Sequence, residues 1–115
     1  MPRRVLSVSY DPVLLKTREM ILEQQGYTVC SVQTVEAAME ASHSKSFDVA
    51  IIGHSIPLED QRQIATVIRR NRAAPFVVAL KSRESEDTPF ADRAVDAHKP
   101  EQMIAELARM FRDGG

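Results

Sequence analysis

Two short runs of the sequence are apolar at every position. Residues 49–52 read Val-Ala-Ile-Ile, and residues 76–80 read Phe-Val-Val-Ala-Leu. A strand with one solvated face alternates polar and apolar residues, so a run without alternation predicts a strand that is covered on both faces. Helices that cross between parallel strands provide that cover. The two runs therefore predict an α/β fold with helices on both faces of a parallel sheet.

Segments with strand and helix patterns alternate through the rest of the chain. The dipeptide Asp11-Pro12 predicts the start of one helix, and Gly26 predicts its end. Thr34 can cap a second helix, and Pro100 opens the last one. The positions predicted for the core are Leu6, Val8, Leu14, Ile21, Val29, Ile51, Val77, Val78, Ile104 and Leu107.

The segment from Lys81 to Val95 breaks this alternation. It is polar, lacks an apolar helical stripe and contains Pro89, and a proline inside a helix costs about 3 kcal/mol. We therefore predict that a fourth helix here is short, irregular or absent. We expect residues 81–93 to be mobile, with few buried contacts, and to leave Phe90 and part of the fifth-strand face available to a partner. The alternative is that the segment packs rigidly on its own domain and that a partner binds at the first helix.

Length and charge bound the class of protein. The 115 residues suffice for one domain, expected to span 1–115 without an output domain. A net charge of -1 gives no general attraction for nucleic acid or an acidic membrane, and the local basic run at 69–72 fits a helix end. No apolar stretch is long enough to cross a bilayer, and the lone Cys30 cannot form an internal disulfide. We expect a cytoplasmic protein with a reduced, buried and inert thiol.

Four dipeptides occur in an order and spacing that resemble the receiver domain of bacterial response regulators. They are Asp11-Pro12, Phe47-Asp48, Ile56-Pro57 and Lys99-Pro100, and the resemblance covers essentially the whole chain. It implies a CheY-like (flavodoxin-like) three-layer α/β/α fold whose parallel sheet has five strands in the order 2-1-3-4-5. It also implies a role in two-component, or phosphorelay, signal transduction.

The resemblance further implies a phosphorylation site at the carboxyl edge of the sheet. In receivers an aspartate after the third strand accepts the phosphoryl group, and two acidic residues after the first strand hold Mg²⁺. A hydroxyl residue, an aromatic residue and a lysine complete the site. The corresponding positions here are Gly53 for the phosphoacceptor, Ser9 and Tyr10 for the metal pair, Leu80 or Lys81 for the hydroxyl, Asp96 for the aromatic residue and Lys99 for the lysine. Because only Lys99 keeps the family's residue type, we predict no phosphoryl transfer, no metal or cofactor, and no enzymatic activity.

Three residues around this edge allow both a structural and a functional interpretation. Asp11 fits a helix N-cap better than a metal ligand. Lys99 either only fills the space of the receiver's acidic site or keeps a function. A cis Lys99-Pro100 bond would set the direction of its side chain. Arg18 either lays the aliphatic part of its side chain along the sheet with the guanidinium in water, or its guanidinium reaches the carboxyl edge of the sheet, where receivers have their phosphorylation site.

His54 is the most suggestive single residue of the edge. A lone loop histidine is usually a polar surface residue. The alternatives are a phosphate-accepting imidazole or a pH-sensitive hydrogen bond to Asp11 or Glu59. A zinc site with Glu59 and Asp60 is a weak alternative, because no second histidine or cysteine is near in the sequence.

The departures from the receiver site favour a non-enzymatic function. We predict a stand-alone, phosphorylation-independent interaction module that binds an unidentified signalling protein or a second copy of itself. The alternative is a sensor that uses the crevice beyond the strand ends, since open α/β sheets bind ligands there. Its signal is then either a small ligand or phosphorylation of His54.

Overall fold

Five parallel strands form the centre of the computed structural model, which describes residues 3–70, 75–82 and 88–113. The strands are β1 (Arg4–Val8), β2 (Thr28–Val32), β3 (Val49–Ile52), β4 (Phe76–Lys81) and β5 (Arg93–Asp96), and the helices within the described ranges are α1 (Pro12–Gln24), α2 (Val35–Ser44), α3 (Leu58–Arg69) and α4 (Pro100–Asp113). The sheet order is β2-β1-β3-β4-β5. Both the α/β class and the strand order 2-1-3-4-5 are confirmed.

The first two helices begin where the sequence predicts. The Asp11 carboxylate accepts hydrogen bonds from the backbone N–H groups of Val13, at 2.9 Å, and Leu14, at 3.3 Å. The Thr34 hydroxyl accepts the N–H of Ala37 at 3.0 Å. Both residues therefore satisfy N–H groups that a helix start leaves without partners, and both N-caps are confirmed.

Helix α1 ends at a glycine because the chain turns there through a left-handed conformation. Gly26 has a φ of 90°. Its N–H donates to the carbonyl of Glu23 at 3.0 Å, and the N–H of Tyr27 donates to the carbonyl of Leu22 at 3.2 Å. This pair of bonds closes the last turn of a helix and favours glycine, whose backbone lacks the Cβ that opposes a positive φ.

The helices cover both faces of the sheet, as the two fully apolar runs predict. Helices α1 and α4 pack on one face, and α2 and α3 pack on the other. In β1, Leu6 and Val8 face the α2–α3 side while Val5 faces the α1–α4 side, because successive side chains of a strand point to opposite faces. All four residues of β3 are buried.

Most of the predicted core is buried, and the exceptions lie on helices and on an edge strand. Leu6, Val8, Ile51, Val77, Val78 and Leu107 are buried, whereas Leu14, Ile21, Val29 and Ile104 are only half-buried. In α1 the buried face consists of Leu15, Arg18 and Leu22. The prediction placed the apolar stripe of α1 slightly to one side of the face that meets the sheet, and that face carries an arginine at its centre.

No helix lies between β4 and β5 in the described part of that connection, residues 82 and 88–92. Asp92 holds the connection to β4: its carboxylate accepts the N–H of Val77 and its N–H donates to the carbonyl of Val77, both at 2.8 Å. Arg69 donates to the carbonyl of Phe90 at 2.5 Å and pairs with Asp92 at 3.4 Å. Phe90 is half-buried and packs against the apolar core on the α2–α3 side of the sheet. The expectation that Phe90 is left available was therefore wrong, and residues 83–87 lie outside the described residues.

None of the described helices is both long enough and apolar enough to cross a membrane. Cys30 is a free thiol in β2 and is half-buried.

Candidate functional site

The residues after β1 and β3 meet at the carboxyl edge of the sheet. Val8 pairs with Ile52 in the strand register, and the N–H of Gly53 donates to the carbonyl of Val8 at 2.9 Å. Ser9 and Gly53, the residues that follow each strand, are both buried. The structure thus brings together the predicted phosphoacceptor position and the first position of the predicted metal pair.

A closed network of neutral hydrogen bonds occupies the first-strand end. The Ser9 and Ser55 hydroxyls are 3.1 Å apart. Ser9 also accepts the N–H of Asp11 at 3.1 Å, and Ser55 accepts the N–H of Tyr10 at 3.2 Å. Mg²⁺ prefers carboxylate oxygens, but the carboxylate at this end, on Asp11, accepts the N–H groups of α1. These residues therefore do not fit a magnesium site.

Tyr10 turns away from the strand ends toward α3. Its hydroxyl donates to the Asp60 carboxylate at 2.8 Å. Burial, followed by the hydrogen bond to Asp60 and the negative charges of Asp60 and Glu36, raises the pKa of Tyr10 to about 12. Asp60 is thus engaged by Tyr10 rather than by His54, and no group of three or more potential metal ligands occurs among the described residues.

Arg18 points from the middle of α1 to this same edge. The residue is only 6% exposed, and neither terminal guanidinium nitrogen has a hydrogen-bond partner in the described part of the chain. A Cβ added to Gly53 would lie 2.8 Å from Nη1 of Arg18. Burial lowers the pKa of Arg18, and the negative charge of Asp11 opposes that shift. The expectation of a guanidinium in water was wrong, and the alternative, a guanidinium at the strand ends, is the arrangement observed.

A small cavity lies beside Arg18, between α1 and the start of α4. We call it the Arg18 cavity; its volume is about 70 Å³, and its lining consists of Leu14, Thr17, Arg18, Ile21, Leu80, Asp96, Ala97, Pro100 and Met103. Leu80 is buried here, while Lys81, the last residue of β4, is half-buried. The predicted hydroxyl position therefore forms an apolar wall.

The remaining predicted residues lie at the end of β5 and in the loop after β3. Asp96 accepts the N–H of His98 at 2.8 Å, and Lys99 is exposed. The structure contains no cis peptide bond among its described residues, so the expected cis Lys99-Pro100 bond was wrong.

His54 is half-buried, and its ring centroid lies 5.6 Å from that of His98. His98 was not predicted as a residue of this edge, because it is far from His54 in the sequence. The two rings approach each other only when the ends of β3 and β5 lie at the same edge of the sheet.

A wider groove runs along the outer side of β5 and α4. This β5–α4 groove has a volume of about 700 Å³ and is lined by Lys81, Ser82, Ala94, Val95, Asp96, Lys99, Gln102, Ala105, Glu106 and Arg109. Glu106 forms ion pairs with Arg93 and Arg109, each at 3.0 Å. The sequence predicted an available fifth-strand face, and the groove lies along β5. A cleft was not predicted, since the position of β5 could not be fixed in the polar segment that contains it.

Comparison with known proteins shows similarity in structure and not in sequence. The structure resembles a CheY-like response regulator receiver domain from Methylobacillus flagellatus, with a TM-score of 0.84, 14% identity and coverage of 96% of this chain and 99% of that one. For the chemotaxis protein CheY4 of Vibrio cholerae the TM-score is 0.81, at 19% identity and coverage of 95% and 98%. For the N-terminal domain of a response regulator/sensory box/GGDEF 3-domain protein from Carboxydothermus hydrogenoformans it is 0.79, at 25% identity and coverage of 94% and 92%. No protein-family model and no curated protein matches the sequence. The fold is therefore CheY-like, and the chemistry must be argued from this chain's own residues.

Proposed function

We propose that this chain is a single receiver-fold domain of two-component signalling that acts by binding another protein and is not switched by aspartyl phosphorylation. The observation that carries the proposal is the pairing of Gly53 with Arg18. The position where a receiver would carry its phosphoacceptor is a glycine, and the guanidinium of Arg18 lies 2.8 Å from where a side chain at that position would begin.

The chemistry of aspartyl phosphorylation gives two reasons for this proposal. The reaction needs a carboxylate nucleophile, and glycine provides none. It also needs a divalent cation to offset the phosphate charge, and cations of this kind require carboxylate oxygens that Ser9 and Tyr10 lack. The buried guanidinium of Arg18 at the same edge adds a positive charge, which opposes the binding of a divalent cation there.

The structural neighbours support the signalling context. They are receiver domains, a chemotaxis protein and a domain of a larger sensory protein. In this chain the β5–α4 groove provides a concave surface for a partner, bordered by the exposed residues Ala94, Lys99 and Arg109.

The first experiment is incubation with acetyl phosphate and Mg²⁺, followed by intact mass spectrometry at neutral and acidic pH. We expect no covalent phosphate on Asp11, Asp48 or Asp60, and none on His54, whose phosphorylation was the alternative prediction. The single variant Gly53→Asp should also stay unmodified, because the metal still lacks its carboxylates. The matched gain-of-function variant combines Gly53→Asp with Ser9→Asp and Tyr10→Asp. Phosphate on any aspartate of the unmodified chain at good yield would refute the proposal.

One observation favours a second candidate function at the same edge, the binding of a small ligand. It is the absence of any partner for the guanidinium nitrogens of Arg18 within the described residues.

A further inference from the structure

The Arg18 guanidinium is a buried cation that forms no ion pair with the described residues. Both of its terminal nitrogens are buried and make no hydrogen bond among the described residues. Buried charges are normally paired and hydrogen-bonded, because leaving one unpaired costs several kcal/mol. Arginine carries five N–H donors and accepts no bond, so the group that would satisfy it is an acceptor with negative charge. An anion therefore fits this position.

The described side chains around the guanidinium do not bond to it in that role. Gly53 has no side chain, and the Ser9 hydroxyl bonds to Ser55 and to the backbone of Asp11. The Asp11 carboxylate, whose charge acts on Arg18, is bonded to the start of α1. The missing acceptor therefore does not come from these neighbours.

The Arg18 cavity indicates the size and polarity of the missing group. Six of its nine lining residues are apolar: Leu14, Ile21, Leu80, Ala97, Pro100 and Met103. A volume of about 70 Å³ admits only a few non-hydrogen atoms. The wall therefore suits a short hydrocarbon chain attached to the anionic group.

The charges around the cavity favour a single negative charge. Arg18 is the one cation among the lining residues, and Asp96 adds a carboxylate. One guanidinium balances one negative charge, and Asp96 repels a dianion such as phosphate more strongly than it repels a monocarboxylate. A carboxylate can also accept two parallel N–H bonds from a guanidinium. The site therefore distinguishes a monocarboxylate from inorganic phosphate.

We propose that Arg18 and the Arg18 cavity bind a small monocarboxylate with a short aliphatic chain, with the carboxylate on the guanidinium and the chain against the apolar wall. The site goes beyond the interaction function and does not depend on it. It would make the carboxyl edge of the sheet responsive to a metabolite where a receiver responds to phosphate.

Isothermal titration and thermal unfolding with acetate, propionate, butyrate, propionamide and inorganic phosphate test the proposal on the full chain. Propionate or butyrate should bind and raise the melting temperature, while phosphate and the uncharged propionamide should not. Arg18→Met keeps the side-chain volume and removes the charge, so we expect it to weaken propionate binding by at least about tenfold. Arg62→Met makes the same change at an exposed position of α3 and should bind as the unmodified chain does.

A second variant addresses the cavity and retains the charge. Ala97→Val adds methyl groups to the wall and should weaken butyrate binding more than acetate binding. If no monocarboxylate binds to the unmodified chain, or if Arg18→Met binds propionate equally well, the site does not exist as proposed. Binding of phosphate in preference to propionate would overturn the assignment to a monocarboxylate.

Discussion

At the residue scale, Arg18 and Gly53 constrain each other. The guanidinium can lie at the strand ends because position 53 carries no side chain, and a Cβ there would be 2.8 Å from Nη1 of Arg18 and 3.1 Å from the carbonyl oxygen of Val8. The first neighbour is the end of a flexible side chain and can move, whereas the second is backbone. A residue other than glycine must therefore displace a buried charge and also fit against β1.

This coupling is measurable with a double-mutant cycle. Arg18→Met removes an unpaired buried charge and should raise the free energy of unfolding by about 1–3 kcal/mol in the absence of ligand. Gly53→Ala overpacks the edge and should lower it by about 1–3 kcal/mol. In the Arg18→Met background the cost of Gly53→Ala should fall, since no buried charge has to be displaced while the contacts with Val8 and Ser9 remain. Urea unfolding of the four proteins gives the coupling, and strict additivity would show that the two residues do not contact each other.

The N-caps and the Arg18 position differ in how well the sequence reveals them. Asp11 and Thr34 could be predicted because a cap depends on a few consecutive residues. The burial of Arg18 could not, because it depends on which face of α1 meets the sheet and on the glycine that follows β3. An arginine within an apolar stripe is compatible with a charged end in water, and only the packed structure shows where the guanidinium lies.

At the element scale, β1 and the residue that follows it carry two buried serines whose hydroxyls differ in hydrogen bonding. Ser7 lies in the strand with its hydroxyl buried and without a hydrogen-bond partner among the described residues. Ser9 follows the strand, is also buried, and its hydroxyl bonds to Ser55 and Asp11. A buried hydroxyl without a partner costs free energy, whereas a bonded one contributes to stability.

Alanine at each serine should therefore have opposite effects. We expect Ser7→Ala to raise the free energy of unfolding by up to about 1 kcal/mol, because it removes an unsatisfied polar group. Ser9→Ala should lower it by about 1–3 kcal/mol, because the N–H of Asp11 loses its acceptor. The two variants delete the same atom and serve as controls for each other in parallel urea titrations. A destabilised Ser7→Ala would mean that the Ser7 hydroxyl has a partner.

The central strands were more predictable than the outermost one. Residues 49–52 form β3 as predicted, because a strand covered on both faces is apolar at every position. Strand β5 (Arg93–Asp96) has a single buried residue, Val95, and pairs with β4 alone among the described strands. Its sequence carries little pattern, and neighbouring strands rather than its own residues define it.

At the scale of the whole molecule, the fold and the site carry different information. Structures that share 14–25% identity with this chain superpose over nearly its full length, so the alternation of strands and helices is enough to specify the architecture. The residues at the carboxyl edge are free to change within that architecture. Function must therefore be inferred from Arg18, Gly53 and the surrounding surface, and not from the fold.

Two surfaces of the molecule could bind a protein partner. The first is the β5–α4 groove, which has Ala94 and Ala105 exposed in its lining. The second is the outer face of α1, where Val13 is 71% exposed and Met20, seven residues later, is 53% exposed. The groove is concave and combines exposed backbone of an edge strand with charges of both signs, which suits a protein partner better than isolated side chains.

A charge placed in the groove should therefore reduce partner binding. Ala105→Glu puts a carboxylate into the lining of the groove, four residues before Arg109. Ala108→Glu is the matched control: Ala108 is also exposed on α4, lies outside the lining, and precedes Arg112 by four residues. The two changes have the same helix propensity and the same spacing to an arginine, so they should affect stability equally. Sedimentation and pull-down from the source cell should show self-association or partner capture lost in Ala105→Glu and retained in Ala108→Glu. If Ala105→Glu retains all binding and Met20→Glu abolishes it, the partner binds at α1 instead.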